Sequence, residues 1–128
     1  VNMTKLKKIS AIFATAVMTM IIAAGVCQAT NFSDVVVSGT GSKTLMNKKV
    51  SIQTMTLKVT SCKFTDYFIT KGKINYELWS AGYSETKKGT TGTFYFAPLN
   101  SASKTYFLDA QCTDTTSKAK ISGNYYHA

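Results

Sequence analysis

"KVSIQTMTLKVT" (49–60) alternates apolar and polar residues, but its phase slips halfway. Val50 and Ile52 share one parity; Met55, Leu57 and Val59 share the other. Successive side chains of a strand point to opposite faces. One unbroken strand would therefore bury one set and send the other to solvent. A β-bulge or a strand break near Gln53–Thr54 restores a single apolar face.

The rest of the chain beyond residue 30 reads in the same idiom. Thr, Tyr, Phe, Val and Ile dominate, residues that suit a pleated, half-buried surface. Glu77 and Glu85 are the only glutamates, and no convincing helix is present. "DVVVS" (34–38) ends at a glycine turn, and "KFTDYFIT" (63–70) is a further candidate strand. "KINYELW" (73–79) sets Ile74, Tyr76 and Leu78 against Asn75 and Glu77. "SAGYSETKKGTTG" (80–92) reads as a polar loop. "TFYFAP" (93–98) is a strand that Pro98 ends or confines to an edge, because proline donates no ladder hydrogen bond. "NSAS" (100–103) reads as a turn. "KTYFLDAQC" (104–112) puts Tyr106, Leu108, Ala110 and Cys112 on one face, opposite Asp109 and Gln111. "KAKISGNYY" (118–126) does the same with Ala119, Ile121, Gly123 and Tyr125.

About seven short strands at roughly 10-residue spacing predict an all-β fold, a small antiparallel β-sandwich, with a small β-barrel as the alternative. The order Cys62…Trp79…Cys112 resembles an immunoglobulin-like domain in general architecture. That resemblance implies two strands of opposite sheets bridged by a disulfide, with a tryptophan packed on the bridge. Ala110 stands where the family's tyrosine, two positions before the second cysteine, is expected. A likeness at this level carries no function.

The first 29 residues read as a cleavable signal peptide. Lys5, Lys7 and Lys8 precede Ile9–Val26, eighteen residues without charge. A basic segment, an apolar segment and a small-residue exit form the export pattern. Cys27 and Ala29 are the small residues that place the cut before Thr30. Lipoprotein processing at Cys27 is disfavoured, because Val26 and Ala24 stand where a small residue and a leucine are expected. The expected product is one secreted domain, 30–128, with a bacterial-looking leader.

Twelve of the fifteen lysines and all six acids lie after residue 29, leaving a formal charge of +6 and no arginine. In an exported chain the remaining pair, Cys62 and Cys112, reads as a disulfide. Two cysteines without CxxC, and one histidine next to the C-terminus, do not form a metal site. The same histidine, His127, argues against a serine–histidine nucleophile, and no phosphate-loop motif is present. No catalytic residue, metal or cofactor is expected.

What remains are binding features. Lys48–Lys49, Lys71/Lys73 and Lys87–Lys88 cluster near predicted turns, and Tyr83 and Trp79 add aromatic surface. Strict alternation turns Trp79 outward with Asn75 and Glu77. Ending the strand at Leu78 would turn it into the core beside the disulfide, the reading favoured by the large area a tryptophan buries. A cationic exported domain is drawn to anionic cell-envelope polymers, to membrane surfaces, or to another protein. Nucleic acid is excluded as a partner by export and by the lack of arginine, the residue that forks onto phosphate. The expectation is a secreted non-enzymatic binding protein; a cationic, bacteriocin-like antimicrobial is the alternative.

Overall fold

The computed structural model describes residues 29–65 and 72–128. Residues 1–28 of the leader, with Cys27, and "DYFITK" (66–71), most of the candidate strand at 63–70, lie outside the described residues. Among the described residues there are eight strands: β1 (Thr30–Ser38), β2 (Lys43–Ile52), β3 (Met55–Phe64), β4 (Ile74–Ser80), β5 (Tyr83–Gly89), β6 (Gly92–Phe96), β7 (Asn100–Cys112) and β8 (Lys118–His127). They form two antiparallel four-stranded sheets, β1-β8-β3-β6 (sheet A) and β2-β7-β4-β5 (sheet B). Their inward faces share one core that includes Leu57, Val59 and Ile121 from sheet A and Tyr76, Leu78 and Leu108 from sheet B. Each large apolar side chain buried this way contributes roughly 1.5–3 kcal/mol.

The phase slip at Gln53–Thr54 is where the chain leaves sheet B and enters sheet A. Ile52 and Met55 are both buried, but against opposite layers of the same core. The crossing is fastened by backbone bonds. Gln53 N–H donates to the Ala128 carbonyl at 2.8 Å, Ala128 N–H donates to Thr54 O at 2.9 Å, and Leu99 N–H donates to Gln53 O at 3.0 Å.

A second register shift lies between Val59 and Ser61, which pair with Gly123 and Ser122. The extra residue, Thr60, turns the strand once more, so that Cys62 pairs with the buried Ile121. Gly123 allows the close approach: a Cβ there would lie 2.0 Å from the Lys58 carbonyl oxygen.

Two segments differ from the sequence reading. The polar segment 80–92 contains a strand, β5, joined to β4 by the two-residue turn Ala81–Gly82. Gly82 takes φ 82° there, a left-handed conformation that glycine adopts freely. The supposed turn at 100–103 lies inside β7. Asn100 pairs with Ile52 and Lys104 with Val50, so the intervening residues bulge out. Asn100 Oδ1 accepts from Ala102 N–H at 3.0 Å, a turn-like local bond inside the bulge. Pro98 follows β6, which ends at Phe96 on the edge of sheet A.

The features behind the immunoglobulin resemblance are arranged differently. Trp79 points away from the core, as strict alternation requires, rather than packing on a bridge. Cys62 and Cys112 are free thiols, so the expected disulfide is not formed. Both face inward from opposite sheets. Cys112 Sγ, however, is directed to the Val37 carbonyl on β1, 3.5 Å away, and Cys62 lies on β3 with β8 between.

Candidate functional site

The outer face of sheet A is built from the outward parities of β8 and β3. On β8 these positions are Lys118, Lys120, Ser122, Asn124 and Tyr126. On β3 they include Thr56, Lys58 and Lys63. Lys63 stands directly opposite Lys120, and Lys58 opposite Asn124. Like charges opposed in this way repel each other. No carboxylate lies within ion-pairing distance of these four lysines among the described residues, where Lys87–Glu85 is the only salt bridge. At one end of the face, Thr56 is flanked by Tyr95 of β6 and Tyr126 of β8. Those rings are 66% and 37% exposed. Val36, 49% exposed, sits beside Lys120 on β1.

The lysines singled out from sequence lie elsewhere and apart. Lys48 and Lys49 are on β2, and Lys87 and Lys88 on β5, at the two opposite edges of sheet B. Lys71 is outside the described residues. Lys87 shares the inward parity of Tyr76 and is neutralised by Glu85 at 2.8 Å. Glu85 also accepts from Tyr83 O–H at 2.6 Å and from Ala97 N–H at 3.3 Å, tying β5 to the segment after β6. Burial raises the Glu85 carboxyl, but the bonds from Lys87, Tyr83 and Ala97 outweigh this and hold it below its ordinary value. Tyr83, by burial and by its bond to Glu85, is pushed well above the ordinary tyrosine range. Tyr83 is thus part of the closure between the sheets, its ring set edge-on to Tyr106 at 6.3 Å.

Trp79 is half-buried on the outer face of sheet B. Its ring stacks on Phe107, with centroids 4.4 Å apart and planes 18° from parallel. Its Nε1–H donates to Asp109 Oδ2 at 2.8 Å, while Thr44 Oγ1 donates to Asp109 Oδ1, also at 2.8 Å. Asp109 is only 9% exposed for that reason. The two faces differ in character: lysines and tyrosines on sheet A, and on sheet B carboxylates, amides and an aromatic pair, with Lys49 and Lys88 on the flanking strands.

Burial raises the Cys62 and Cys112 thiols above their ordinary value. Protonated thiols, Cys62 half-buried and Cys112 buried in the core, are poor nucleophiles. Among the described residues, no three histidine, cysteine or carboxylate side chains gather to hold a metal. The chain matches no protein-family model, and no curated protein is significantly similar to it.

The sheet A lysines carried one legible signal: Lys118 and Lys120 alternate with buried residues in "KAKIS". What the sequence did not display is that β3 and β8 are neighbours. That pairing alone turns two short alternations into one face.

Proposed function

We propose that the mature domain is a secreted, non-enzymatic binding protein that attaches to an anionic surface outside the cell through the outer face of sheet A. One observation carries this reading: Lys58, Lys63, Lys118 and Lys120 share one face of two adjacent strands and have no carboxylate partner among the described residues. Basic residues held near an anionic membrane contribute about 1 kcal/mol each. Four on one face act together in a way that lysines on opposite edges do not. The partner class is a cell-envelope polyanion or the headgroup layer of an anionic membrane.

The test compares two variants of equal net charge. One replaces Lys58, Lys63, Lys118 and Lys120 with glutamine; the other replaces Lys48, Lys49, Lys87 and Lys88. Co-sedimentation with phosphatidylglycerol vesicles should weaken at least tenfold in the first and change little in the second. Equal weakening in both would show that overall charge, not this face, is responsible.

Exposed Tyr95 and Tyr126 favour the second reading, a bacteriocin-like antimicrobial. Amphipathic rings at the end of a cationic face suit a membrane–water interface. Growth inhibition together with dye leakage from the same vesicles would select that reading over simple adhesion.

A further inference from the structure

We infer that the outer face of sheet B carries a second binding site, a saccharide groove along β4 and β7, with the Trp79–Phe107 pair in the next row of the sheet beyond it. The groove holds about 130 Å³ and is lined by Ser42, Asn75, Glu77, Thr86, Asp109 and Gln111. It spans two successive rows of the sheet. Asn75 and Gln111 form one row; Glu77 and Asp109, with Thr86 beside them on β5, form the next. Trp79 and Phe107 make the third row.

The polar groups of this groove are held in place before any ligand arrives. Asp109 is fixed by Trp79 and Thr44. Gln111 donates to the Gly39 carbonyl at 3.1 Å and accepts from Ser42 Oγ at 3.2 Å. Glu77 accepts from Ser84 Oγ on the neighbouring strand. Each carboxylate oxygen has capacity for a further bond. Fixed groups of this kind lose little freedom on binding, which favours affinity.

The lining decides the class of ligand. An apolar molecule finds only Ala110 among otherwise polar lining residues. A phosphate or other anion meets two carboxylates directly opposed across the strands, Glu77 and Asp109, against the single lysine Lys88 beside Asn75. An extended peptide finds no open main-chain edge, because β4 and β7 are hydrogen-bonded on both sides. A sugar ring fits each feature. Its hydroxyls donate to the carboxylates and exchange bonds with the Asn75 and Gln111 amides. A chain of sugars long enough to leave the groove can lay a C–H face on the Trp79–Phe107 pair one row beyond. Trp79 pairs across the strands with the small Ser84, so the neighbouring strand puts no bulky side chain beside its ring. The site lies on the opposite face from the four sheet A lysines and does not depend on them; Lys88 of β5 stands beside Asn75 at its margin.

Trp79 is the only tryptophan, so its emission reports on this groove directly. The mature protein is titrated with a β-1,4-linked glucose tetramer and with a β-1,4-linked N-acetylglucosamine tetramer, which distinguishes plain from acetamido sugars. A saturable emission change is expected with at least one of them at millimolar concentration or below. Glu77→Gln and Thr86→Phe should each weaken that binding about tenfold, roughly 1.4 kcal/mol. The four-lysine variant of sheet A should bind the sugar as wild type does while losing vesicles. No saturable response to either tetramer, or a response unchanged in both groove variants with native circular dichroism, would overturn the site.

Discussion

Gly123 shows how much one residue decides here. It faces inward opposite Val59, at the point where β3 bulges toward β8. The atom a methyl group would meet is a backbone oxygen, which no side-chain rotation can move. Gly123→Ala is therefore expected to cost about 3 kcal/mol, the upper part of the overpacking range, read as a lowered urea midpoint. His127, the single histidine, makes a different contribution. Burial, with a smaller effect from the Lys48 charge, holds its pKa below the ordinary 6.5. The unfolded chain then takes up this proton first as pH falls, so unfolding is favoured by acid. Stability present above pH 6.5 should decline below it, before Glu85, with an ordinary value of 4.5, begins to matter. Urea titrations at stepped pH should show this slope, and His127→Gln should flatten it.

Strand β5 is the element whose sequence gave least warning. "YSETKKG" has one aromatic residue and no apolar alternation, yet it forms seven residues of ladder with β4. It can be polar because it is an edge: one side is hydrogen-bonded to β4 and the other faces solvent. Glu85 and Lys87 carry charge at inward parity, a device that stops an exposed edge from pairing with another chain. Replacing both with valine should preserve the hairpin but promote self-association. Sedimentation velocity should then show a mass that rises with concentration, beyond any rise in wild type; unchanged behaviour would mean the edge is protected by other means. The segment at 100–103 shows the reverse ambiguity. A turn and a strand bulge use the same Asn100-to-Ala102 bond, and only the pairing with Ile52 separates them.

Across the whole molecule, a chain of modest positive charge becomes a body with two unlike faces. Attraction through the sheet A lysines should fall steeply with salt, because the screening length shrinks from about 8 Å at physiological ionic strength to about 3 Å at 1 M. Vesicle binding measured across that range should weaken progressively, whereas sugar binding on sheet B, resting on hydrogen bonds, should hold. The amino-acid sequence by itself determined the strand class, the inward faces of β4, β7 and β8, and the break at Gln53–Thr54. Each of these follows from period-two alternation, which is local. Only the tertiary structure decided that β3 lies beside β8, that the outward Trp79 has Phe107 as its stacking partner, and that Cys112 reaches the Val37 carbonyl of β1. Those outcomes depend on which strands become neighbours, and parity along one strand holds no information about the strand beside it.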